Sequence, residues 1–276
     1  MLGPKIEALP DDHHSKSQCL FRLSQLYTSV GNYLERKRLL AHNLKLCRER
    51  GDDRQVTQTL RALSDANRLL GLYEEGIQQV REALEIYKRL GNIPGQARSW
   101  KSLAWLLHDD KQLDAAEDAA SRVINLLSGR NEQFMVCDCH RLLGNIYSSN
   151  GRAEKAIGHF ETALGIASPF IWHSQLVWTH YSLAQLFLAK ERFEDAHAHV
   201  ERAKLHVVGD TQRLGRVMEL EARSWYTQRR FQEAKSTALH AADVFEKLGD
   251  KTQLEVCRVT LRNIEEATNR PSGSHR

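Results

Sequence analysis

The sequence predicts an all-α fold, a right-handed α-solenoid of about six helix-turn-helix repeats closed by one further helix. Three observations predict it. A turn recurs at a nearly fixed interval, a large-small-large apolar pattern precedes each turn, and a second apolar face follows it. The turn anchors are Gly31, Gly71, Lys111, Gly151, Glu191 and Arg229, spaced by 40 residues four times and then by 38. A period in this range marks units that bury their apolar faces only by stacking on neighbours. Such a stack presents a surface rather than a reaction pocket, so the period favours a binding protein over an enzyme.

The first helix of each repeat lies before the anchor. Eight residues upstream stand Leu23, Leu63, Leu103, Leu143, Leu183 and Glu221. One position later come Ser24, Ser64, Ala104, Gly144, Ala184 and Ala222, and three further on Tyr27, Asn67, Leu107, Tyr147, Phe187 and Trp225. Large residues four apart with a small one between them define one buried helical face on which a second helix can approach closely. The second helix follows the turn. Its rows are Leu40, Val80, Ala120, Phe160, Val200 and Ala238; then Asn43, Ala83, Val123, Ala163, Ala203 and Ala241; then Cys47, Tyr87, Leu127, Ala167, Val207 and Phe245. Offsets of three and four again trace one face. Gly51, Gly91 and Gly249 end several repeats and predict left-handed C-caps. Ser168-Pro-Phe-Ile-Trp172 breaks that joint between the fourth and fifth repeats.

The expected organisation is a flexible leader at 1–14 and repeats near 15–52, 53–92, 93–132, 133–172, 173–210 and 211–250. A capping helix is expected at 251–268, with Leu254, Cys257, Leu261 and Ile264 as its apolar stripe, and a disordered tail at 269–276.

The order large, Leu, small, Tyr, then Gly-x-Tyr, then Ala, aromatic or aliphatic, Ala resembles the tetratricopeptide repeat. Trp100, Leu103, Ala104 and Leu107 carry it in the third repeat, and Gly144, Tyr147, Gly151, Ala156, Phe160 and Ala163 in the fourth. The resemblance spans about residues 17–250, and Arg36 and Glu221 depart from it most. The long period is similar to that of Pins-type adaptors and of the sensor regions of STAND signalling ATPases. It implies a protein-interaction scaffold or, as the alternative, the regulatory end of a larger NB-ARC or NACHT-type ATPase.

In such pairs the first helix lines the concave side. Arg61, Arg68, Arg98, Lys101, Arg141 and Asn145 make the centre of that face basic and amide-rich, and Trp105 and Tyr181 stand among the aromatics at its edges. Arginine forks bind carboxylates, asparagine clamps a peptide backbone, and aromatics anchor apolar side chains. These eight residues are the expected peptide-binding set, and the expected partner is a protein segment of acidic or mixed character. Lys101, Arg141 and Asn145 resemble the carboxylate-clamping residues of co-chaperone repeats, in a different distribution over the repeats.

Other classes fare worse. The net charge of +4 is far from the dense basic blocks of a nucleic-acid binder, and Asp65 and Glu219 interrupt the basic rows that RNA would need. No apolar run reaches the length of a bilayer span, and no phosphate loop, zinc-protease motif or nucleophile elbow occurs, so neither a membrane nor a cofactor is expected. The five cysteines lack a disulfide framework, which with the missing signal sequence points to the cytoplasm. Cys137, Cys139 and His140, and likewise His197 with Glu201, lack the further ligands of a metal site. Self-association through the apolar stretch at Phe170, Ile171 and Trp172 is a second expectation.

Overall fold

The structure, a computed structural model, describes residues 15–269. The expected leader and all but the first residue of the expected tail lie outside that range. Among the described residues there are thirteen α-helices and no strand. They are α1 (Lys16–Ser29), α2 (Tyr33–Glu49), α3 (Asp53–Leu69), α4 (Tyr73–Arg89), α5 (Ile93–Asp109), α6 (Leu113–Leu127), α7 (Gln133–Ser149), α8 (Ala153–Ala167), α9 (His173–Ala189), α10 (Phe193–Leu205), α11 (Thr211–Thr227), α12 (Phe231–Leu248) and α13 (Lys251–Asn269).

The chain divides into two compact units, Met1–Arg152 with α1–α7 and Ala153–Arg276 with α8–α13. Within each unit every helix packs on the next. In the first unit α3 also touches α5, and α5 touches α7; in the second, α9 touches α11, and α11 touches α13. Odd-numbered helices therefore form the closely spaced side of each stack. This is the all-α solenoid of tandem helix pairs.

The turn anchor is the same backbone device every time. Gly31, Gly71, Lys111, Gly151, Glu191 and Arg229 all adopt positive φ. The residue after each anchor donates its N–H to the carbonyl five residues back: Asn32 to Tyr27, Leu72 to Asn67, Gln112 to Leu107, Arg152 to Tyr147, Arg192 to Phe187 and Arg230 to Trp225. The anchor itself donates three residues back, as Gly31 does to Thr28. These two bonds satisfy carbonyls that a helix end leaves without partners.

The joint between repeats works similarly and adds an N-cap. Gly51, Gly91 and Gly249 are left-handed. The next residue then caps the following helix: Asp52 accepts from the Gln55 N–H at 3.0 Å, Asn92 from Gly95 at 2.8 Å and Asp250 from Gln253 at 3.1 Å. At the fourth joint a 3₁₀ turn, Ser168–Phe170, replaces the glycine, and Ile171 takes the left-handed position at φ 49°. Trp172 follows and supplies no capping bond.

The sequence rows form the core. Leu40, Val80, Ala120, Phe160 and Ala238 are fully buried, as are Ala83, Val123, Ala163, Ala203 and Ala241. Two polar intruders have partners. Asn43 stands in the alanine row, accepts from Ser17 Oγ at 2.6 Å and donates to Thr59 Oγ1 at 3.0 Å. Glu221 stands in the leucine row and accepts from Lys204 Nζ at 2.7 Å. Buried polar groups persist where such bonds are made.

α13 lays Cys257, Thr260 and Ile264 against the stack, packing on α12 and α11. No helix among the described residues is long and apolar enough to cross a membrane.

Candidate peptide-binding face

Among the residues expected along the partner face, Arg98 is exposed and Glu219 is buried, and most of the rest lie between. Arg61, Asp65, Arg68, Lys101, Trp105, His108, Arg141 and Asn145 are all half-buried on α3, α5 and α7 of the first unit. Their spacing places each two or three residues from a core position, on the flank of its helix.

Trp105 on α5 is the centre of this face. The Arg141 guanidinium of α7 lies 5.1 Å from its ring centroid, and that of Arg68 on α3 lies 5.7 Å away. The His108 ring meets Trp105 edge-on at 5.9 Å. Cations within about 6 Å of an indole face are attracted by its quadrupole.

The cations are themselves held. Lys101 Nζ donates to Asp138 Oδ2 at 2.6 Å, and Arg141 donates to the other oxygen of the same carboxylate. Burial alone would raise the Asp138 carboxyl, but Arg141 and Lys101 outweigh it and hold it at about 2. Arg68 Nη1 donates to Asp109 Oδ2 at 2.6 Å. Asp109 also meets His108 Nδ1 at 2.9 Å, while His108 Nε2 reaches Ser149 Oγ at 3.0 Å. Burial again opposes ionisation of Asp109, and the bond to His108 with the charge of Arg68 prevails, so its pKa falls. The result is a Trp-Arg layer fixed from three helices.

The eight expected residues therefore fall into distinct settings. Arg68, Lys101, Trp105 and Arg141 share one connected network, and Asn145 stands one turn from Arg141 with no side-chain hydrogen bond among the described residues. Arg61 and Arg98 line a separate cleft of about 600 Å³ with Arg54, Gln58, Tyr87 and Asn92. Tyr181 belongs to the second unit, edge-on to Trp178 at 5.6 Å. Arg216 lies 5.7 Å from that tryptophan ring.

Sequence reasoning missed the acidic partners and Arg54. A signal existed for each. Lys101 and Asp138 are 37 apart and Arg68 and Asp109 are 41 apart, so opposite charges one repeat apart mark neighbouring helices. Arg54, Gln58 and Arg61 follow the spacing of one helix face.

The second unit holds two further clusters. On α9 and α10, His180 Nδ1 and His199 Nδ1 are 3.0 Å apart, and the His206 ring stacks on His180 with centroids 6.1 Å apart. Burial, reinforced for His180 by its histidine neighbours and for His199 by Arg202, lowers both to about 4. Glu221 joins His197 and Glu201 as a third group, their ligand atoms within 4.8 Å of one another. Lys204 already donates to both carboxylates there, at 2.9 and 2.7 Å. Cys137 and Cys139 are buried, and burial raises their thiols to about 11 and 12, well above the reactive range.

A profile of the tetratricopeptide repeat matches residues 55–128 and 138–204, more than half of the chain. The chain belongs to the tetratricopeptide repeat family, whose members are protein-interaction modules. No curated protein matches it. Its fold is shared by solved structures of low identity. A Rap protein in complex with competence and sporulation factor is 14% identical, with 96% of this chain and 79% of that chain covered and a TM-score of 0.71. Aspartyl phosphate phosphatase F from Bacillus subtilis is 13% identical, covering 94% and 71%, with a TM-score of 0.64. A signal transduction ATPase with numerous domains from Pyrococcus horikoshii, which has a tetratricopeptide repeat sensor, is 14% identical. That likeness covers 93% of this chain and 40% of the ATPase, with a TM-score of 0.62.

Proposed function

We propose that the odd-numbered helices of the first unit hold a peptide segment of a protein partner, with Trp105 as its apolar seat. The observation that carries this reading is the half-exposed Trp105 ring with a guanidinium near it from each neighbouring odd-numbered helix. A tryptophan held among arginines on a surface is the kind of residue on which binding energy concentrates. Because Asp109 and Asp138 already fix those arginines, little side-chain freedom is lost when a partner arrives.

The same ion pairs refine the expected chemistry. A partner carboxylate at Lys101 or Arg141 must compete with Asp138, so those two cations serve chiefly to hold the platform. Asn145 is open to a peptide backbone, and Arg61 and Arg98 are open to acidic side chains. The partner read from this face is a mixed segment, apolar at Trp105 and acidic toward Arg61. The Rap protein in complex with competence and sporulation factor supports the reading as a complex formed on the same fold.

Affinity capture from a native extract tests it, using the parent chain beside Trp105→Ala and Asn145→Asp, each checked for unchanged helicity. Proteins held by the parent and lost by both variants are the expected result. An identical set captured by all three chains contradicts a partner site on this face.

A further inference from the structure

Three arginines in the first unit stand apart from the ion-paired cations around them. Arg54 and Arg61 on α3 and Arg98 on α5 line the same cleft of about 600 Å³. None of the three makes an ion pair or side-chain hydrogen bond among the described residues, and Arg61 Nε is buried without an acceptor. Asp65, one turn along α3 from Arg61, makes no ion pair with it and acts electrostatically on Arg36, and other acids on the adjoining turns are committed elsewhere. Asp52 accepts from Gln55 through both carboxylate oxygens, and Asp53 pairs with Arg89 at 2.7 Å. Glu82 is taken by Arg48 and Glu85 by Lys88. Three guanidiniums without a direct ion pair thus share one concave space with the amides of Gln58 and Asn92 as additional donors.

We propose that this cleft is an oxyanion subsite for a phosphorylated side chain carried by the partner segment. The inference rests on the peptide-binding reading above and places its charged end. A single carboxylate neutralises one cation, whereas a phosphate monoester carries nearly two negative charges and three acceptor oxygens. Guanidinium forks match such a group in pairs, and clusters of them are a recurring mode of phosphopeptide recognition. The orphaned Nε–H of Arg61 supplies a further donor that lacks an acceptor until an anion enters. Arg54, Gln58 and Arg61 rise along one face of α3, so the site is built on a rigid element and joined by Arg98 from the next repeat.

Two measurements test this. Inorganic phosphate and acetate are titrated at matched ionic strength while the arginine Nε–H resonances are followed by NMR. Saturable shifts of Arg61 and Arg98 with phosphate, and weak unsaturable ones with acetate, are expected. Equal responses to both salts overturn the subsite, because they report screening alone. In the second arm a labelled peptide with one phosphoserine is compared with its serine and glutamate counterparts by fluorescence anisotropy. The phosphorylated form is expected to bind roughly tenfold tighter or better than either. Arg54→Gln/Arg61→Gln/Arg98→Gln is expected to abolish the difference, and the corresponding triple Lys variant to keep part of it. A difference that survives the Gln variant overturns the assignment. A phosphopeptide that binds no tighter than free phosphate overturns the partner segment as the source of the anion.

This failure is separable from failure of the peptide-binding reading. Capture that is lost with Trp105→Ala, but survives both the triple Gln variant and phosphatase treatment of the extract, sinks the oxyanion subsite alone. Capture that survives Trp105→Ala sinks the reading beneath it.

Discussion

Lys101 on α5 and Asp138 on α7 form an ion pair of 2.6 Å that ties two successive odd-numbered helices together, and Arg141 shares the same carboxylate. Asp138 is nearly buried, so breaking the pair strands charge rather than exposing it. Its carboxyl is held at about 2, below the ordinary aspartate value. The stabilisation is therefore fully present above the ordinary value near pH 4 and is lost as pH falls toward 2. Asp138→Asn is expected to cost about 2 kcal/mol in urea unfolding at neutral pH, with a smaller deficit near pH 3. A deficit that does not shrink on acidification contradicts the account.

The His180–His199 contact sets a second pH limit. Both side chains are neutral in the folded chain because burial lowers them to about 4, against 6.5 for an ordinary histidine. The unfolded chain takes up these protons first, so the contribution of this pair to stability is constant above about pH 6.5 and declines as pH falls toward 4. His199→Gln is expected to flatten the fall in melting temperature between those limits. An unchanged slope means that other groups govern acid sensitivity.

Ile171 occupies a backbone position that glycine fills at Gly51 and Gly91. A β-branched residue at positive φ is strained, by roughly 1–2 kcal/mol. The residue is 61% exposed, so little packing offsets the strain. Ile171→Gly is expected to raise stability by about 1 kcal/mol, and Gly91→Ala to lower it by a similar amount. No atom lies within 4 Å of a Cβ built at Gly91, so that loss is conformational alone. Thermal unfolding of the two variants decides the matter, and opposite signs are required.

Gly95 is needed for a different reason. A Cβ there meets the Tyr87 ring at 2.3 Å, where α5 begins against the end of α4. Tyr87 also lines the arginine cleft. Gly95→Ala is expected to destabilise the first unit by about 1–3 kcal/mol and to weaken phosphate binding there. Wild-type stability in that variant means that the ring has room the structure does not show.

The fold was legible because every repeat restates it. Six turn anchors at one register, all with positive φ, show that Lys111, Glu191 and Arg229 mark turns as surely as the glycines do. Their equivalence came from period and not from residue type. Glu221 looked like a departure because its partner, Lys204, lies on another helix, and Asn43 in the alanine row is likewise held from other helices by Ser17 and Thr59. The candidate face was legible as rows of half-buried side chains. Its electrostatics were not, because charge pairing one repeat apart decides which cations stay open. Lys101, Arg68 and Arg141 read like Arg61 and Arg98 in the sequence, and only the packing of α3, α5 and α7 separates the satisfied from the unsatisfied.

The most direct test of the partner face is site-specific photocrosslinking in native extract. A photoreactive residue is placed at Asn145, on the odd-numbered face, and in a second chain at Asp118, an exposed position on the even-numbered α6. The account predicts a discrete crosslinked partner from position 145, abolished by Trp105→Ala, and none from position 118. The same partner crosslinked from 118 and not from 145 would contradict it.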